Sequence, residues 1–346
     1  LIKIKLFLYI KMKSLVFLLI SLISCTEKST VYFTKTISPE KIVEMFQKLN
    51  VNLQGNVGLK VHTGEPNGPY FLRPYFLENI YNHTNGTFLE CNVAYTSDRL
   101  QTQKHKEVLE TNGWSKYRIN IMDENPDDDI NFPVDNNNKI NITYAGKLLE
   151  NYDSCLVLSH FKGHQMGGFG GALKQLSIGF ASRSGKAWIH TAGQSTNYND
   201  TFSKGTSQED FTSSMADAAS AIVKYFKDKE KGGIAYINVL ANISLRCDCA
   251  GQSAPIPKIK DIGILASTDP VAIDRACLDL IKNTQEEGTQ EFLDQVQAKL
   301  GENTINKAEA LGIGTTQYDL IDVDGNRANF INSKLSLVLL ILLFVL

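Results

Sequence analysis

Residues 159–174 read SHFKGHQMGGFGGALK, with two histidines, two lysines and five glycines in one short stretch. The apolar run CLVL precedes it, and helix-compatible residues 172–178 follow. This order predicts a strand, a glycine-rich turn and a helix. Such a turn brings backbone N–H groups close to an anion or a metal-bound ligand.

Short apolar runs bounded by glycine or polar residues predict further strands at 57–62, 87–93, 154–159, 234–240 and 262–266. Helices fall between them. One is capped by Ser38 with Pro39 in its first turn, and one begins at Asp269 and Pro270. A third spans 206–226 behind the capping box of Thr206 and Glu209. Strands alternating with helices predict an α/β fold, with a largely parallel or mixed sheet and flanking helices in one large domain over 26–325. Ligands in such sheets gather at the C-terminal strand ends, where the polar motifs of this chain lie. The acidic, asparagine-rich stretch 123–139 reads as a surface excursion.

The 346 residues are 43% hydrophobic and 21% charged, enough for a sizeable core. A net charge of −2 offers no basic field for nucleic acid. Met12 is the first methionine; Lys13, the apolar run 15–23, Ser24 and Cys25 follow it. Segment 1–25 therefore reads as an export signal with an upstream extension. Leu22-Ile23-Ser24-Cys25 also has the lipobox shape of a bacterial lipoprotein. The segment 326–346 ends in an apolar tail behind small polar residues, the layout of a GPI signal. Together the ends predict a secretory, cell-surface protein held at the membrane by a lipid anchor. Sequons stand at Asn82, Asn85, Asn141, Asn199 and Asn242, the last in a strand-like segment that disfavours modification.

Four motifs carry chemistry. On a helix, His160 and His164, four apart, would share a face suited to a metal; the glycines weaken that helix, so the rings could diverge, one capping a turn and the other sitting in the core. Lys162 and Lys174, with the N–H groups of Gly167, Gly168, Gly170 and Gly171, form an alternative anion site; the glycines could equally serve close packing. In KVHTGEPNGP at 60–69, Lys60, His62 and Glu65 offer a cation, an imidazole and a carboxylate for metal binding or acid–base work, or only a turn. Cys247-Asp248-Cys249 is too compact for a standard zinc or iron–sulfur pattern, but the thiols could join a composite metal site or form a redox-sensitive pair. Asp269 caps a helix or acts as a functional carboxylate. Asn92, Tyr95 and Arg99 complete a polar rim. Cys155 and Cys277 lie in apolar surroundings and read as core residues.

KVHTGEPNGPYFLRP (60–74), ECNVAYTSDRLQTQKH (90–105), YDSCLVLSHFKGHQMGGFGGALKQLSIGFASRSGKAWIH (152–190), YINVLANISLRCDCAG (236–251) and DIGILASTDPVAIDRA (261–276) come in this order. Over about residues 30–320 the chain resembles the family called domain of unknown function 362. The resemblance implies an α/β fold and functional roles for the matched His, Lys, Cys and Asp positions. Relatives often carry a ferredoxin-like insertion with repeated CxxC spacing. Here the segment after His190, TAGQSTNYNDTFSKGTSQED, holds no cysteine.

Two readings result. In the first, an enzyme or redox protein carries one composite site: Lys162, His62 and Glu65 are catalytic, Gly167, Gly168, Gly170, Gly171 and Lys174 bind a small or anionic ligand, and His160, His164, Cys247 and Cys249 hold a metal or iron–sulfur centre. In the second, a cell-surface binding protein keeps the fold without the chemistry.

Overall fold

The computed structural model describes residues 28–125, 128–135 and 139–325. The expected signal and tail segments, 1–25 and 326–346, lie outside them. The strands are β1 (Ser29–Thr34), β2 (Val57–Lys60), β3 (Thr87–Glu90), β4 (Ile119–Ile121), β5 (Asp129–Pro133), β6 (Ile142–Gly146), β7 (Ser154–His160), β8 (Lys162–His164), β9 (Gly168–Gly170), β10 (Gly233–Leu240), β11 (Gly263–Ser267) and β12 (Tyr318–Asp322). The helices are α1 (Pro39–Lys48), α2 (Glu78–Thr84), α3 (Thr102–Thr111), α4 (Ala172–Lys174), α5 (Arg183–His190), α6 (Gln208–Asp228), α7 (Pro270–Lys282), α8 (Thr289–Ala298) and α9 (Gly301–Ala310).

Among the described residues, eight strands form one sheet in the order β12-β1-β11-β10-β7-β2-β3-β4. Strands β10, β7, β2, β3 and β4 run parallel, and β11 runs antiparallel to both of its neighbours. The five strands expected from the sequence all lie in this sheet, in an α/β fold with helices on both faces. All seven residues of β7 are buried, which explains why its sequence is an unbroken apolar run rather than an alternation. Leu156 and Leu158 point to the layer of α1 and α2; Cys155 and Val157 point to the layer of α6 and α7.

Ser38 and Asp269 cap α1 and α7 as expected; the Asp269 carboxylate accepts from Val271 N and Ala272 N. The cap of α6 is Ser207, which accepts from Asp210 N, so this helix starts one residue beyond the expected Thr206 box. The stretch 123–139 is not simply a surface excursion. Asp123 is fully buried, and β5 pairs antiparallel with β6. Asn242 is exposed beyond the end of β10, not within a strand, and its N–H donates to Asp261.

The glycine-rich segment also differs from the expected simple turn. Lys162–His164 and Gly168–Gly170 pair as a small antiparallel hairpin before α4. Gly168 has φ +79°, a left-handed conformation that favours glycine, and a Cβ there would lie 3.1 Å from both Gly301 Cα and Val296 Cα. A Cβ on Gly171 would lie 2.4 Å from Asp274 Oδ1. These two glycines admit α8, α9 and α7 to the hairpin, as in the close-packing alternative.

Candidate functional site

The parallel strands end on one edge of the sheet, and the segments after β2, β3, β7 and β10 wall a cavity of about 300 Å³ there. His62, His160, Lys162, His164, Gly170, Gly171, Lys174, Cys247 and Cys249 all line it. Of the residues assigned to the composite site, three do not. Gly167 ends the outer turn of the hairpin, Gly168 begins β9, and Glu65 stands behind the wall. Both Glu65 carboxylate oxygens are occupied, by Tyr95 Oη at 2.6 Å and Ser97 Oγ at 2.5 Å, with Arg99 Nη1 at 3.3 Å. Glu65 therefore braces Tyr95 and Arg99 rather than facing a substrate.

Beneath His62 lies a buried charge network. Glu90 accepts from Lys60 Nζ at 2.6 Å and from Arg99 Nη2. Burial works against its charge, yet Lys60 and Arg99 hold it well below the usual carboxylate range. The charges in this network offset one another. His62 Nδ1 accepts from Gly64 N at 3.0 Å. Burial, then the Arg99 guanidinium, pushes His62 well below the usual histidine range, so the ring is neutral.

A second network joins two of the sequence motifs. Asp248, between the two cysteines, sets its carboxylate 3.0 Å from His160 Nδ1 and 3.1 Å from Lys162 Nζ. Against its burial, His160 and Lys162 hold this carboxyl well below the ordinary range. The other His160 nitrogen lies 2.7 Å from the Ala241 carbonyl. Both ring nitrogens thus face acceptors within the wall, and the candidate metal-ligand group among the described residues leaves His160 out. This corrects the expected ligand role of His160. Lys162, expected as catalytic, is likewise an ion-paired lysine that also donates to the His160 carbonyl.

Lys174 is different. Among the described residues its ammonium has no hydrogen-bond or ion-pair partner. Burial, then Lys162 and Lys186, pushes it down to about 7. Lys186, which the sequence reading passed over, donates to the Ala181 carbonyl at 2.5 Å and is also lowered by burial. His190, missed as well, stacks on Phe211 and is pushed down to about 4 by burial. Lys186 and His190 are one turn apart on α5, and that i,i+4 spacing was the available signal.

His164 and the two cysteines converge. Ligand atoms of His164, Cys247 and Cys249 lie within 4.8 Å of one another, a group able to hold a metal ion. In this structure the two sulfurs are bonded to each other as a disulfide, and His164 Nδ1 accepts from Met166 N at 3.2 Å and Gly167 N at 3.0 Å. The group therefore fits a metal only when the pair is reduced and Nε2 is the ring's ligand atom. Cys91, Cys155 and Cys277 are buried free thiols, their pKa values raised by burial.

The family model described as "Domain of unknown function (DUF362)" matches residues 57–279. The chain belongs to this family. The DUF362 segment contains every residue of the cavity wall, whereas β1, β12, α8 and α9 lie outside it. No curated protein matches the chain. Among solved structures, it is similar to the lactate racemase apoprotein from Thermoanaerobacterium thermosaccharolyticum, with 13% identity and a TM-score of 0.39 over 70% of this chain and 55% of that one. It is also similar to a Thermotoga maritima structural-genomics protein, with 14% identity and a TM-score of 0.37 over 79% of this chain and 59% of that one. The chain thus spans less than two thirds of the length of each.

Proposed function

We propose that this DUF362 protein is an enzyme acting on a small substrate that carries a carboxylate or phosphate group. The observation that carries the reading is Lys174, a cavity lysine without a partner, set near Lys162 and Lys186 and lowered to about 7. Glu90 and Asp248 are already matched by their own cations and Asp123 offsets Lys186, so the unbalanced charge at Lys174 favours an anion. A lysine near neutrality can take a proton from a bound substrate and return it. In this reading Lys186 holds the anionic group, Lys174 moves the proton, and the ring N–H of His164 donates to the oxygen where charge develops. A non-catalytic binder needs no such perturbed groups, so they favour the enzyme.

Titration of the full chain with inorganic phosphate, succinate and pyruvate tests the binding step. For any ligand that binds, deuterium exchange into it from D2O, read by proton NMR, tests proton transfer. Exchange is expected with the native chain and not with Lys174→Met; equal exchange by both would sink the assignment of Lys174.

A second reading rests on the convergence of His164, Cys247 and Cys249. Reduced, these residues would hold a metal ion that polarises a substrate oxygen as a Lewis acid. An iron–sulfur centre would need cysteine ligands beyond this pair. Location in the secretory pathway, with a lipid anchor at the cell surface, is kept as part of the proposal and rests only on the sequence of the two ends.

A further inference from the structure

Cys247 and Cys249 have a place in this cavity that anion binding alone leaves unused. They form a disulfide in its wall, in the same cavity as Lys174. Cys247 is 2% exposed, whereas Cys249 is half-buried and the more accessible sulfur. The Cys249 N–H donates to Cys247 Sγ at 3.0 Å. The two sulfurs therefore differ: one is open to attack, and the other is placed to leave with a hydrogen bond already made.

We propose that the pair is a thiol–disulfide exchange centre whose substrate is a small thiol bearing a carboxylate. The thiol class rests on the anion-binding reading of the cavity; the exchange centre rests on the cysteine geometry. A substrate thiolate attacks Cys249 Sγ. A bond forms between the substrate sulfur and Cys249, the Cys247–Cys249 bond breaks, and its electron pair goes to Cys247 Sγ. A second substrate thiolate attacks the sulfur of the bound substrate, forming the substrate disulfide and releasing Cys249. Two thiols are oxidised to one disulfide, the protein disulfide is reduced to two thiols, and the two substrate protons end on Cys247 and Cys249. A second small disulfide of different origin runs the same steps in reverse and restores the protein disulfide. Lys174 and Lys186 attract the substrate carboxylates, while the sulfur faces the cysteine pair.

The test uses the oxidised full chain at about pH 6.5, where Lys174 carries its charge, with mercaptosuccinate or 2-mercaptoethanol at matched thiolate concentration, followed by acid quenching, alkylation and mass spectrometry of the 247–249 peptide. Mercaptosuccinate is expected to reduce the pair about tenfold faster or more, the ratio that roughly 1.4 kcal/mol of charge recognition gives. Lys174→Met should bring the two rates together. Cys247→Ser, treated with the disulfide of mercaptosuccinate, should trap the adduct on Cys249. Circular dichroism of each variant confirms folding, and the native-chain comparison stands without them. Equal rates for the two thiols, or no reduction by either, overturn the proposal. Succinate titration in parallel separates the readings: succinate binding with equal thiol rates defeats the exchange proposal alone, and absent succinate binding defeats the anion site as well.

Discussion

Lys162 Nζ lies 3.1 Å from an oxygen of Asp248, tying the hairpin after β7 to the loop that carries both cysteines. Both side chains are almost fully buried, and His160 closes the same carboxylate from the other side at 3.0 Å. This contact explains why two motifs far apart in sequence share one wall. It also leaves Lys174, not Lys162, as a cavity cation without a hydrogen-bond or ion-pair partner among the described residues.

Removing the carboxylate charge should show what this tie contributes. Asp248→Asn leaves His160 and Lys162 facing a neutral amide in a buried site. The expected loss of unfolding free energy is about 3–5 kcal/mol, the range for a buried ion pair stripped of one partner. Urea denaturation checks it; a loss well under 1 kcal/mol would mean that water already screens the pair.

Lys174 makes stability depend on pH in a set direction. Burial lowers its pKa to about 7, against an ordinary value of about 10.4. Between these values the unfolded chain binds the extra proton, so this group's contribution to stability rises with pH. Below about 7 both states are protonated and the burial penalty is constant. Lys174→Met lacks this linkage. Its stability advantage over the native chain should be largest near pH 6 and shrink toward about pH 10, as read by denaturation at several pH values.

Gly171 was expected to bind ligand through its backbone. It does line the cavity, but the lack of a side chain matters for packing. Asp274 accepts from Ala172 N at 2.8 Å, from Leu173 N at 2.9 Å and from Asn238 Nδ2 at 2.7 Å. A Cβ on Gly171 would press into that carboxylate. Gly171→Ala should therefore cost about 1–3 kcal/mol by overpacking. Thermal melting checks it, and an unchanged midpoint would contradict the packing role.

The sequence revealed the sheet because its central strands are buried on both faces and appear as apolar runs. It also marked the loops that meet at the cavity, because ligands and polar residues gather at C-terminal strand ends. It did not reveal which lysine is paired. That depends on Asp248, delivered by a distant loop, and no local pattern encodes it. Glu90 was missed for a similar reason: it ends an apolar strand, and its role appears only with Lys60 and Arg99 around it. His160 and His164 sit at helical spacing but on two strands, so the expected shared helix face does not form.

The metal reading separates by redox state. Cobalt added anaerobically to the reduced chain should give sulfur-to-cobalt charge-transfer absorption, weakened in His164→Ala and absent from the oxidised chain. Absorption of equal strength with the disulfide intact would place the metal elsewhere.

The cavity is proposed to bind a small anion through the ammonium of Lys174, which has no partner among the described residues. Calorimetric titration of the full chain with succinate and inorganic phosphate, on the native protein and on Lys174→Met, tests this most directly. Saturable binding of at least one anion to the native chain is expected. Above about pH 7 that binding should weaken by up to about tenfold per unit as the ammonium is lost, and Lys174→Met should not show this dependence. No binding of either anion below neutrality, or binding with the same pH profile in both proteins, would contradict it.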